Sequence, residues 1–121
     1  MKWKLFLLLF INVLQAQTDY PKDYFRSPLD IPLSLSGNFG ELRSNHFHSG
    51  LDFRTQQKEG LNVYASADGY IARIKISSFG NGKTIYINHP NGYTTVYCHL
   101  SKINAIIDQY IKAIHYKQES Y

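Results

Sequence analysis

The sequence predicts a mainly β fold: a compact antiparallel β-sheet domain followed by a C-terminal amphipathic helix. Three features carry that prediction. The run Tyr70-Ile71-Ala72-Arg73-Ile74-Lys75-Ile76 alternates apolar and basic side chains directly after an Asp68-Gly69 turn signal. Asn91-Gly92 lies between two further β-prone runs and suits a tight hairpin turn. From Ser101 onward the apolar period lengthens, so that Ile103, Ile106, Ile107, Tyr110, Ile111 and Ile114 form one helical stripe.

Taken in chain order, Met1-Lys2-Trp3-Lys4, the largely apolar Leu5 to Leu14 and then Gln15-Ala16 have the layout of a secretory signal peptide over residues 1–16. A spanning helix needs about 20 apolar residues. This run is shorter and broken by Asn12, so no stable membrane anchor is expected once the leader is removed. Residues 17–34 carry Pro21, Pro28 and Pro32 without a sustained period and read as an extended lead-in. Residues 35–121 make up the domain proper. Asn62 to Ser66 is a short apolar run, and the strand from Tyr70 turns Ala72, Ile74 and Ile76 one way and Arg73 and Lys75 the other. Phe79-Gly80-Asn81-Gly82 punctuates it, Lys83 to Asn88 begins the next strand, and Tyr93 to Leu100 returns. The helix is expected over about 102–118, capped by Ser101, with its stripe packed on the sheet. The chain reaches Tyr121 without a further strand, so the domain is expected to be incomplete, as in a truncated product or fragment.

Composition limits the partners. With 121 residues, 44% hydrophobic and 15% aromatic, the chain suits one modest globular domain rather than a disordered one. Its formal charge of +4 falls to +2 without Lys2 and Lys4, too little to indicate nucleic acid. Cys98 is the single cysteine, so an exported chain has no internal disulfide and relies on packing or metal. Its neighbour His99 suggests a thiol nucleophile and base, but adjacent strand residues point to opposite faces, which leaves Cys98 as an inert, buried thiol.

The segment Asn45-His46-Phe47-His48-Ser49-Gly50-Leu51-Asp52 is the richest in chemistry. In an extended chain His46, His48 and Asp52 share one side, while Phe47, Leu51 and Phe53 share the other and anchor it. Imidazole and carboxylate four residues apart around a glycine suit a divalent metal, and a catalytic zinc takes three protein ligands and leaves one position open. On spacing alone, surface polar groups are an equal reading. A second candidate face comes from the hairpin. With Asn91 and Gly92 as a two-residue turn, Ile87 opposes Val96, Ile85 opposes Cys98, Tyr86 opposes Tyr97 and Thr84 opposes His99. His99 then shares a polar-aromatic face with Tyr86, Thr95 and Tyr97. His89, beside Pro90, reads as a surface group, and His115 as a solvated one.

Five ordered blocks resemble one family. Phe39-Gly40-Glu41-Leu42-Arg43, His48-Ser49-Gly50-Leu51-Asp52, Gly60-Leu61-Asn62-Val63-Tyr64-Ala65, Ala67-Asp68-Gly69-Tyr70-Ile71 and Gly92-Tyr93-Thr94-Thr95-Val96-Tyr97-Cys98-His99-Leu100 are similar to the M23 peptidases of the lysostaphin and LytM type. They cover about Leu35 to Ser101. The stretch from Lys102 resembles a helical insertion of some bacterial members, especially Bacteroidetes-like forms.

The resemblance implies an exported zinc endopeptidase, in the periplasm, cell envelope or exterior, acting on peptidoglycan peptides in a groove on a mainly antiparallel sheet. By motif position His48 and Asp52 match two ligands of Zn2+, and His99 matches a catalytic histidine outside the metal shell. His46, Tyr86, Thr95 and Tyr97 are candidates for the groove. Zinc chemistry lets water attack a polarised carbonyl, and a nearby histidine takes a proton or stabilises the oxyanion. The family's later His-x-His, which supplies the third ligand and a second catalytic histidine, is absent from this chain; His46-Phe47-His48 has that spelling but occupies the first-ligand segment. Activity of the chain alone is therefore expected to be weak or nil. The alternative is a non-catalytic envelope-binding or regulatory module with a degenerate metal site.

Overall fold

The computed structural model describes residues 20–118; the signal-peptide reading of residues 1–16 lies outside them. Five short strands precede one helix: β1 (Leu35–Gly37), β2 (Asp52–Phe53), β3 (Tyr70–Lys75), β4 (Thr84–Asn88), β5 (Thr94–Tyr97) and α1 (Ala105–Gln118). The strands form two antiparallel sheets, β1 with β2, and β3, β4 and β5 in that order. The mainly β architecture with a C-terminal helix is as the sequence predicts.

The hairpin differs from its predicted register by one residue. Ile85 opposes Tyr97, Tyr86 opposes Val96, Ile87 opposes Thr95 and Asn88 opposes Thr94. Pro90 is the cause. Its fixed φ suits the second position of a turn, and the turn runs from His89 to Gly92, closed by a Gly92 N–H bond to the His89 carbonyl at 3.0 Å. Gly92 then takes φ 84°, a left-handed conformation that glycine adopts freely. The loop is thus Pro90-Asn91-Gly92, three residues rather than two, a common hairpin connection. Because strand faces alternate, the slip puts Thr95 and Tyr97 with Ile85 and Ile87, and moves Tyr86 to the opposite face with Val96.

Strand β3 departs from strict alternation in the same spirit. A bulge between Ile71 and Arg73 sets Ala72 out of register, so Ile71 opposes Ile87 and Ile74 opposes Ile85 on one face. Arg73 opposes Tyr86, and its guanidinium lies over that ring, 5.5 Å from the centroid.

His89 is buried at 5% exposure, contrary to its surface reading. Its Nδ1–H donates to the Asp68 carbonyl at 2.8 Å, because a carbonyl can only accept. Nε2 is then an acceptor for the Thr95 hydroxyl at 2.8 Å. The Tyr97 hydroxyl lies 2.9 Å from Thr95 Oγ1 and accepts the Ser66 N–H at 2.7 Å. One hydrogen-bonded chain therefore ties the 66–68 segment to the hairpin. Phe25 of the lead-in meets the His89 ring edge-on at 5.2 Å, and Arg26 N–H and Tyr64 N–H bond the Ser66 and Pro28 carbonyls. Replacing His89 with alanine strands two buried hydrogen-bond partners and opens a void under Phe25. At about 1–3 kcal/mol for each unsatisfied buried group, His89→Ala is expected to destabilise the chain by roughly 2–4 kcal/mol, read from the urea midpoint.

The helix starts three residues later than expected. Asn104 rather than Ser101 caps it, its Oδ1 accepting the Ile106 N–H at 2.9 Å. The Ser101 carbonyl is engaged by Lys83 Nζ at 2.6 Å. Lys112 pairs with Asp108 one turn earlier at 2.7 Å, a hydrogen bond that raises the lysine pKa. The stripe does not pack on the sheet. No Cα of the helix lies within 8 Å of a strand, and no helix residue is buried. The sheet face bearing Ile85 and Ile87 is met instead by the 66–68 segment. Leu29 is the one buried hydrophobic residue among those described.

Candidate metal centre

Backbone pairing brings the metal candidates together. Gly40 N–H donates to the His48 carbonyl at 2.7 Å and His48 N–H to the Glu41 carbonyl at 2.8 Å, so residues 40–48 fold back as a small hairpin with Leu42 bridged to Phe47. The chain then bends at Ser49-Gly50 and enters β2, which pairs with β1 and carries Asp52 back toward His48.

His48 Nε2 lies 3.3 Å from Asp52 Oδ1. The other ring nitrogen sits 3.0 Å from the Asn38 carbonyl, which requires a proton on Nδ1, so a neutral ring turns its Nε2 lone pair toward the carboxylate. Two acceptors facing each other repel unless a cation lies between them. Ligand bonds of about 2.0–2.2 Å in tetrahedral geometry separate adjacent donors by about 3.4 Å. The observed spacing meets that requirement. An imidazolium paired with Asp52 also fits the distance, and the two are separated by experiment below.

Anchoring works differently from the sequence expectation. Phe47 and Leu51 are 68% and 49% exposed, so of the expected apolar side Phe53 alone is half-buried. Polar groups hold it instead. Arg43 Nη2 donates to Asp52 Oδ2 at 2.8 Å and to Glu41 Oε2 at 3.2 Å, and Glu41 Oε2 also accepts the Asn38 N–H at 3.1 Å. Arg43, Glu41 and Asn38 went unassigned in the sequence reading. Their signal was the Glu41 and Arg43 alternation two residues apart, opposite His46 and His48 in one hairpin.

The other candidates come from different elements around the cleft. His46 is exposed at the hairpin tip, its Nδ1 2.6 Å from Asn45 Oδ1. Tyr86 is on the far face of the sheet beneath Arg73, and the hydroxyls of Thr95 and Tyr97 are committed to the His89 chain. The predicted polar-aromatic face therefore does not form. His99 lies beyond the end of β5 with φ 57°, held by its N–H bond to the Asn81 carbonyl at 3.0 Å and by Leu100 N–H to Lys83 at 3.1 Å. A left-handed histidine is uncommon outside functional or turn positions. It is exposed and lines the same open cleft as Arg43, His48 and Asp52, a cleft that His46, Tyr86, Thr95 and Tyr97 also line. Among the described residues no third His, Cys, Asp or Glu joins His48 and Asp52 as a metal-binding group.

The profile of peptidase family M23 matches residues 46–115, which contains His48, Asp52 and His99 and runs on through most of α1. The chain belongs to peptidase family M23. It is 33% identical over 87 residues to an "Uncharacterized metalloprotease" of Haemophilus influenzae, covering 67% of this chain and 18% of that protein. The same identity over 87 residues relates it to the "Peptidoglycan DD-endopeptidase ShyC" of Vibrio cholerae, covering 67% and 19%. It is 42% identical over 60 residues to the "DD-carboxypeptidase/endopeptidase Mpg" of Neisseria meningitidis, covering 50% and 13%. The chain thus spans less than a fifth of the length of these relatives. No solved structure matches it.

Proposed function

We propose that this M23 chain supplies two of the protein ligands, His48 and Asp52, of a zinc centre that hydrolyses peptide bonds of peptidoglycan outside the cytoplasm. The carrying observation is the 3.3 Å approach of His48 Nε2 to Asp52 Oδ1, with Nδ1 already committed to Asn38. The substrate reading rests on family membership and on relatives named as peptidoglycan endopeptidases. The leader-like start of the sequence supports export. No helix among the described residues is long and apolar enough to cross a membrane.

Zinc held there supplies Lewis-acid polarisation of a carbonyl and acidification of the attacking water. The chain's own residues do the rest. Asn38 fixes the tautomer of His48, and Arg43 holds the Asp52 carboxylate with one oxygen turned toward the histidine. His99, at the rim of the same cleft, takes up a proton from water or donates to the developing oxyanion. With two ligands among the described residues, the third donor comes from another part of the protein or from a partner. The lack of a third donor among the described residues favours one rival, an envelope-binding or regulatory module without catalysis.

Zinc titration followed by NMR of the imidazole nitrogens tests this reading. The Nε2 resonance of His48 is expected to move on zinc addition, while Nδ1 keeps its proton and His89 is unaffected. A response confined to His46 or His115, or an Nε2 proton on His48 that zinc does not displace, would make the pair with Asp52 a simple ion pair and overturn the proposal.

A further inference from the structure

The hydrogen bonds around the candidate centre form a ring with one open edge. Asn38 N–H binds Glu41, Glu41 binds Arg43, Arg43 binds Asp52, and His48 returns to the Asn38 carbonyl. The open edge is the gap from His48 Nε2 to Asp52 Oδ1. Arg43 is therefore the link that determines which carboxylate oxygen faces the histidine.

From this we infer that Arg43 is a positioning residue of the metal centre, making Asp52 a one-oxygen ligand by occupying Oδ2. The inference rests on the zinc reading of His48 and Asp52. Three observations carry it. The side-chain hydrogen bonds of Arg43 run through Nη2, while its Nε is buried without a partner, so the guanidinium is placed for that one grip. Nη2 also comes within 3.5 Å of His48 Nδ1; both are N–H groups, so this is packing against the imidazole and not a hydrogen bond. Gly37 makes room for the pair. A methyl at that position would overlap both Arg43 Nη2 and Asp52 Oδ2, so the backbone of β1 is shaped around this contact. The side chains of Arg43 and Asp52 are both partly exposed, and ion pairs of that kind add little to stability. Their arrangement matters for the direction of Oδ1 more than for holding the fold.

The test measures zinc affinity of the full chain by competition with a chromophoric chelator, alongside the unfolding midpoint and the visible spectrum of the cobalt(II) form. Losing a partner outside the ligand shell costs about 10–100-fold in metal affinity. Arg43→Met is expected to lose affinity in that range and to change the cobalt spectrum, with its unfolding midpoint close to the parent's. Arg43→Lys restores the charge without the guanidinium geometry and recovers part of the loss. Gly37→Ala is expected to weaken binding with both partners still present. Zinc binding by Arg43→Met within twofold of the parent, or equal losses in the lysine and methionine variants that track a lowered unfolding midpoint, would overturn the role of Arg43 alone. Failure of the parent chain to bind zinc at all would overturn the metal reading and this inference with it.

Discussion

Alanine at either His48 or Asp52 is expected to abolish measurable zinc binding by this chain, whereas alanine at His46 leaves it within about threefold of the parent. The asymmetry comes from geometry. Only two donors converge among the described residues, so removing one leaves a single imidazole or carboxylate, with no chelation to offset the dehydration of the ion. The loss should exceed the roughly 10–100-fold assigned to partners outside the ligand shell. His46 has the same residue type and lies two positions from His48, but it sits at the hairpin tip against Asn45. Asp52→Asn sharpens the point. The amide keeps the shape of the carboxylate but sets either an NH2 group against Arg43 or the same group toward His48, and loses the charge in both cases. It is expected to bind zinc no better than Asp52→Ala. Isothermal titration of the four variants decides the matter, and a His46→Ala loss as large as that of His48→Ala would refute the assignment of the first ligand.

How much of this was legible in the sequence depends on what each element answers to. Strands β3 to β5 and the helix follow from periodicity, although the helix begins three residues late and the apolar run Asn62 to Ser66 forms no strand. Register did not follow, because Asn91-Gly92 was read as a self-sufficient turn when Pro90, one residue earlier, sets the start of the loop. One residue is enough to exchange the faces of Tyr86 and Tyr97. The convergence of His48 and Asp52 was anticipated, but for the wrong reason. Alternation in a straight strand would have required Phe47 and Leu51 to be buried, and both are exposed. Arg43, Asn38 and the pairing of β2 with β1 supply the convergence, and these are contacts between segments that no local pattern encodes. The surface reading of His89 fails for the same reason. Its burial depends on Asp68 and Phe25, both more than 20 residues away.

The largest expected effect concerns the third ligand of the proposed centre, which no described residue supplies beside His48 and Asp52. Joining residues 17–121 to a segment that carries a further His-x-His, as the family pattern places it, is expected to give tight one-to-one zinc binding. Muropeptide release is expected to rise by at least about 100-fold over the chain alone, since a positioned acid or base contributes about 10²–10⁴-fold by itself and a third fixed ligand secures the metal. Folding should improve together with activity. Strand β5 pairs only with β4, so its outer edge is open among the described residues, and Val96 on its surface is 47% exposed. Helix α1 buries none of its residues. A further strand or loop has apolar surface to cover on both, and the joined polypeptide is expected to bind less of a hydrophobic dye and to unfold more cooperatively. The measurements are bound zinc by atomic absorption, muropeptide release by chromatography, and dye fluorescence, each on both polypeptides. Tight zinc binding and robust cleavage by the chain alone would refute the argument. It would direct the search for the third ligand to His46, His115 or a second copy of the chain.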